Sequence, residues 1–191
     1  MSRRKFLGTA AGLAAIALAG CGSTPDSPQE AAAKRQEIDA KSNTALARLY
    51  EQAKGSKEMA DKAQGVLVFP SVIAGGLVVG GEYGEGALRV AGKTVDYYKT
   101  ASGSFGFIAG GQSKSVIMMF MTKEAYDKFR ASNGWTAGID ASVAVAKMGA
   151  NAQVDTASIR APVVVFVSTN SGLLADLSLE GTKVSKLNLG M

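Results

Sequence analysis

Twelve of the chain's 23 glycines fall between Gly65 and Gly111, interleaved with Val, Leu, Tyr and Phe. Glycine inside a strand marks a bulge, a sharp bend or a close approach of two backbones. Several glycine-interrupted strands in succession predict a strongly curled sheet, because closing a sheet into a barrel needs such bends. Around this stretch the apolar pattern has strand character. Val66-Leu67-Val68-Phe69 is a short buried run that Pro70 should stop. Val116 to Met121 and Val163 to Val167 are two more buried runs. Ile139, Ala141, Val143 and Val145 alternate with polar or small residues, as do Leu173, Ala175, Leu177 and Leu179. Glu180-Gly181 then predicts a hairpin turn into Val184 to Leu189.

Three segments have helical character. From Glu30 to Lys54, Ile38, Ala45, Leu46, Leu49 and Ala53 fall on one side at 100° per residue. Lys34, Lys41 and Arg48 line one edge of that face, and Glu30–Lys34 and Glu37–Lys41 are i,i+4 pairs. The helix can dock on the domain's own core, the preferred reading, or lie in a membrane interface. Ser56 can cap a second helix ending near Gln64. A third spans Lys123 to Ser132, with Tyr126 and Phe129 inward and Asn133-Gly134 as its stop. With seven to nine strands and three helices, the expected class is α+β. The expected architecture is a glycine-rich curled antiparallel sheet, closed into a β-barrel, with about three helices packed on its outside.

The N-terminus has the three parts of an export signal. Ser2-Arg3-Arg4-Lys5-Phe6-Leu7 supplies the basic region, and Leu18-Ala19-Gly20-Cys21 ends the apolar one. Phe6 to Gly20 is 15 residues, short of the roughly 20 that span a bilayer. Leu-Ala-Gly-Cys resembles the lipobox of bacterial lipoproteins, which implies cleavage after Gly20 and acylation of Cys21. The start is similar to a twin-arginine signal, departing from it at Gly8; the general secretory route is the alternative. The expected division is residues 1–21 as signal, 22–30 as flexible tether and 31–191 as one domain. No Asp follows Cys21, which by lipoprotein sorting resemblance points to the outer membrane.

Composition excludes much chemistry. The chain has no histidine and one cysteine. No Ser-His-Asp or Cys-His nucleophile system is possible, and no His-containing zinc or iron site. A disulfide within the chain is equally impossible. Gly92-Lys93-Thr94 resembles the end of a phosphate-binding loop, but the earlier glycine is missing and no helix opens there, so a hairpin turn is expected. Gly84-Glu85-Gly86 starts a dinucleotide pattern that Arg89 breaks. Glu82, Glu85, Asp140 and Asp155 could serve acid–base chemistry only if the fold brought two together, and Ser102, Ser104 and Ser113 lack an activating histidine. Trp135, Tyr97 and Tyr98 are expected to fill the core. No enzyme activity, cofactor or metal is expected. The formal charge of +5 is not a nucleic-acid signal: three of the 21 basic residues precede the expected cleavage point, which leaves 18 against 16, or +2.

A set of short motifs recurs in order. Ala63-Gln64-Gly65-Val66-Leu67-Val68-Phe69-Pro70 leads to Gly80-Gly81-Glu82-Tyr83-Gly84-Glu85-Gly86, Tyr97-Tyr98 and Val116 to Met121. Asn133-Gly134-Trp135, Gly138-Ile139-Asp140, Gly172-Leu173-Leu174-Ala175 and Leu179-Glu180-Gly181 close the series. Over residues 45 to 189 the chain resembles the SYLF domain, also called the lipid-binding SYLF or fungal actin-binding domain family. The resemblance implies a lipid-binding module that recognises anionic, phosphoinositide-type head groups in eukaryotic members and uses an amphipathic N-terminal helix. A bacterial envelope argues against phosphoinositides and actin as native partners. The expected function is therefore weak, non-catalytic binding of anionic lipid head groups, with the membrane reached through acylated Cys21. Lys54, Lys57, Lys62, Arg89 and Lys93 are the candidate contacts. The alternative is a structural lipoprotein that binds another protein or wall polymer. Changing Arg3 and Arg4 together to lysine should block export if the twin-arginine route is used; cell fractionation showing unchanged export would exclude that route.

Overall fold

The computed structural model describes residues 25, 27–76, 79–105, 108–146, 154, 160–169, 172–174, 179 and 181–190. The export signal with Cys21, and Asp155, Ala175, Leu177 and Glu180, lie outside the described residues. Three helices are α1 (Pro28–Gln52), α2 (Ser56–Lys62) and α3 (Lys123–Ala131). Four long strands are β1 (Gly65–Gly76), β2 (Val79–Val90), β3 (Lys93–Phe105) and β4 (Ile108–Phe120). Five short ones are β5 (Trp135–Thr136), β6 (Val143–Val145), β7 (Val163–Thr169), β8 (Gly172–Leu174) and β9 (Lys183–Lys186). They form one sheet in the order β5-β9-β3-β2-β1-β4-β7-β6, with β8 sharing the outer edge of β7.

The α+β class holds, with two corrections to the sheet. It is mixed, because β6 runs parallel to β7. It is also an open half-barrel among the described residues. The strands at its two ends have two and three residues, too little backbone to form a seam, and no pairing joins them.

The curl has a steric origin. β1 carries a bulge at Phe69–Pro70, where its register shifts against both β2 and β4. Proline has no N–H to give to a ladder, and the bulge lets the strand continue through Pro70 rather than stop there, as the sequence suggested. Opposite the bulge stands Gly86. A Cβ there would sit 2.2 Å from the Val68 carbonyl oxygen, and one at Gly84 would lie 2.9 Å from that of Ser71. Both glycines share the concave face, so the two backbones close up on that side and the sheet bends around them. The β2–β3 turn is tight as expected: Ala91 and Gly92 both have positive φ, 49° and 79°.

Strand alternation divides the core into two layers. Leu67, Leu88, Tyr98, Met118, Phe120, Val163 and Val165 face inward, with Phe129, Trp135 and Val184. Their neighbours Val66, Val68, Ile117, Met119, Val164 and Phe166 face outward onto Leu46, Leu49, Ala53 and Met59. Helices α1 and α2 thus cover the convex face, as expected. Helix α3 does not lie outside. Phe129 stacks within the concave core, its ring centroid 4.6 Å from Phe120 and 4.8 Å from Tyr98. Tyr126 also packs there.

Local chemistry explains the helix ends. The Ser27 hydroxyl accepts from the Glu30 N–H at 3.2 Å, and Pro28 occupies the first turn. Ser56 is not a cap. Gly55 (φ 87°) reverses the chain, and the buried Ser56 hydroxyl instead donates to the Ala53 carbonyl at 2.6 Å. Ile139 does not start a strand. The Thr136 N–H donates to the Asp140 carboxylate at 2.5 Å, which closes a turn at Gly138 (φ 81°) and leaves Ile139 79% exposed. Strand β9 pairs with β3 and β5; most of the segment expected to form a hairpin with it across Gly181 lies outside the described residues.

Gly86→Ala should cost about 3 kcal/mol, because its methyl would overlap a backbone carbonyl that cannot turn away. Gly103→Ala, with nothing within 4 Å of its Cβ position, should change stability by only about 0.5 kcal/mol. Urea denaturation of the two variants tests the assignment of the curl to Gly86.

Candidate functional site

The convex side of β2 carries Glu85, Ala87 and Arg89, and α1 runs along it. Two strand residues advance about 6.6 Å and four helical residues about 6 Å, so successive side chains meet. Lys34 pairs with Glu85 at 2.7 Å, Ile38 packs with Ala87 and Tyr97, and Arg89 reaches Asp39 and Asn43. The predicted basic edge is largely consumed: Lys34 holds Glu85, and Lys41 holds Glu37 at 2.6 Å. The helix docks on the domain's own core.

A polar hub fixes this docking. The Asp39 carboxylate accepts from the Thr94 hydroxyl at 2.8 Å and the Tyr97 hydroxyl at 2.9 Å. The Arg89 guanidinium donates to the Asn43 amide oxygen at 2.6 Å and the Asp39 carbonyl at 3.1 Å. Arg89 is only 8% exposed, and its Nε–H has no partner. It is a buried tie between helix and sheet, not the surface cation expected from the sequence.

Beside Arg89 lies a cleft of about 290 Å³ between α1, α2 and the β2–β3 turn. Asn43, Leu46, Ala47 and Tyr50 line it from α1, Ala60 and Asp61 from α2, and Ala91 and Gly92 from the turn. Two of the candidate lysines adjoin residues that line the cleft. Lys62 sits between the lining residues Asp61 and Ala63, and Lys93 adjoins Gly92. Lys54, Lys57, Lys62 and Lys93 are all exposed. Lys57 is committed to Asp61 at 2.7 Å, so helix α2 largely balances its own charge. Sequence reasoning missed Asp39, Asn43 and Tyr50. Their spacing of four and seven was the available signal, since polar residues at the edge of a buried stripe must meet polar partners.

Burial and its neighbours set the phenol ionisations. Tyr97 is pushed up to about 12, first by burial and then by its bond to Asp39. Tyr98 is also pushed up to about 12, chiefly by burial. Tyr50 is raised by burial and by the Asp61 charge.

The described candidate acids, Glu82, Glu85 and Asp140, do not converge. Glu82 faces the concave side, pairing with Lys114 at 2.7 Å and accepting from the Ser102 hydroxyl at 3.2 Å. Glu85 faces the convex side, where it accepts from the Tyr83 hydroxyl at 2.9 Å. Asp140 closes its turn. Ser113 lies against the Ser71 hydroxyl at 2.9 Å. Among the described residues no group of three or more acidic or cysteine side chains could hold a metal, and no helix is long and apolar enough to cross a membrane.

Residues 101–188 match the family model Ysc84, described as Las17-binding protein actin regulator. That stretch is similar to the SYLF family. Over 158 residues the chain is 28% identical to Beta cell expansion factor A of Aeromonas veronii, an alignment covering 82% of this chain and 58% of that protein. The chain therefore spans a little over half of that relative. The match begins within β3, so the hub residues on α1 and β2 precede it and strands β4 and β7 fall inside it.

The raised phenols give a signed pH dependence. The fold prefers neutral Tyr97 and Tyr98, so their contribution is whole below the unfolded value of about 10 and is lost as pH climbs through about 12. The denaturation midpoint should fall across that window, and Tyr97→Phe should flatten the fall. A midpoint indifferent to pH from 10 to 12 would contradict it.

Proposed function

We propose that the chain is a non-catalytic envelope lipoprotein, anchored through Cys21, whose domain weakly binds anionic lipid head groups. The SYLF match at residues 101–188 carries this reading. The α1–α2 corner supports it: Lys62 and Lys93 are exposed next to residues that line one cleft, and Lys54 is exposed in the link between the two helices. Each cation near an anionic surface is worth about 1 kcal/mol, so three such contacts give weak binding. The phosphoinositide preference of eukaryotic relatives would correspond here to whichever anionic lipids the envelope holds.

A second reading, an interaction lipoprotein that binds another protein or wall polymer, draws on Ile139, 79% exposed at the tip of its turn. Co-flotation of the full chain carrying Cys21→Ser separates the two. Vesicles containing phosphatidylglycerol should be preferred over neutral phosphatidylcholine vesicles. Changing Lys54, Lys62 and Lys93 together to Gln should cut that preference at least tenfold. A preference that survives the triple substitution removes the corner as the contact.

A further inference from the structure

We propose that the cleft between α1, α2 and the β2–β3 turn binds one medium-chain carboxylate, its head group at Arg89 and its alkyl chain along the alanine-lined wall. The inference goes beyond the preceding reading and does not depend on it.

Charge supports the head group. Arg89 is buried, yet both groups it bonds are neutral oxygens, the Asn43 amide and the Asp39 carbonyl. Among the described residues no carboxylate forms an ion pair with it. A guanidinium has five N–H donors, and these contacts use two of them. A buried cation without a counterion is costly, and an anion entering the cleft would relieve that cost. Asp61 also lines the cleft, its carboxylate held by Lys57. Its charge disfavours a dianion such as phosphate more than a monoanion. Tyr50 also lines the cleft, and a phenol is protonated, and so a possible donor, at neutral pH.

Shape supports the chain. Leu46, Ala47, Ala60, Ala63 and Val66 make an apolar wall, and its small side chains leave the room. At about 30 Å³ per water-sized unit, a cleft of about 290 Å³ holds a carboxylate and about six to eight carbons. Acetate is too small to use the wall, and a long-chain acid would protrude.

The test is a ¹⁵N NMR titration of the full chain with sodium octanoate, sodium acetate and 1-octanol. Octanoate should give saturable shifts at Asn43, Ala47, Ala63 and Gly92, with affinity at least tenfold above either control. Arg89→Gln should abolish the difference between octanoate and octanol. Because that change also loosens α1, Ala63→Leu serves as an independent variant that fills the cleft without touching the charge, and it should abolish octanoate binding while the remaining spectrum stays folded. Octanol binding as tightly as octanoate, or octanoate binding undiminished by Ala63→Leu, would overturn the proposal. Vesicle preference that persists while octanoate fails removes the cleft proposal alone; octanoate binding without vesicle preference removes the membrane reading alone.

Discussion

The close approach of β1 and β2 at Gly86 is the constraint on which the rest of the molecule depends. No side chain fits between that position and the Val68 carbonyl, so the sheet folds over its concave face. Connectivity imposes the same bend from the other end of the strands. Phe105 pairs with Val79 and Ile108 with Gly76, which puts β2 and β1 between the two residues. Three peptide links reach at most about 11 Å, whereas three interstrand gaps in a flat sheet are about 14 Å. The chain can pass from β3 to β4 there only if the sheet is curled. Bending in turn makes a hollow, and α3 fills it with Phe129 against Tyr98, Phe120 and Trp135.

The convex face meets a different requirement. A curved sheet presents a ridge, and a straight helix touches a ridge along one line. On α1 that line runs from Lys34 through Ile38 and Asp39 to Asn43, matched residue for residue to the outward side chains of β2. Apolar contact alone would let the helix slide by a turn. Asp39 prevents it, because its carboxylate accepts from hydroxyls on two successive outward-region residues of β3, Thr94 and Tyr97, while its carbonyl accepts from Arg89. Satisfied buried polar groups specify register in this way because any shift leaves them unpaired. The cleft is a by-product of the same register: α1 is held at the Asn43 end, α2 turns away at Gly55, and the space between is walled by alanines.

Much of this was legible in the sequence. The apolar stripe located α1, because a helix docked on one face must repeat its buried residues every three or four positions. Glycine density announced the curl, since no other residue allows such close backbones. What failed were local signals overruled by partners that the apolar pattern does not name, some near in the chain and some distant. Pro70 breaks an isolated strand but is tolerated where a bulge frees it from the ladder. Ile139 alternates like a strand residue, yet Asp140 folds back on Thr136. Arg89 looked like a surface cation because charge alone does not disclose an Asn and a carbonyl 46 and 50 residues away.

The distribution of charge bears on how strongly such a domain can hold an anion. Lys34, Lys41, Lys57 and Lys114 each face a carboxylate within 2.7 Å, so these four cations are already neutralised within the molecule. An ion pair displaced by a lipid phosphate gains little, since one Coulomb contact is exchanged for another at similar dielectric. Only cations without such a partner add net attraction, and those near the cleft are few. Any anion binding at this corner would therefore be weak by construction. An acyl anchor would change its consequence without changing its strength: holding the domain beside the bilayer converts a weak contact into an occupied one through effective concentration. It would also leave specificity to the cleft, where burial makes each polar contact count for more than it does on the rim.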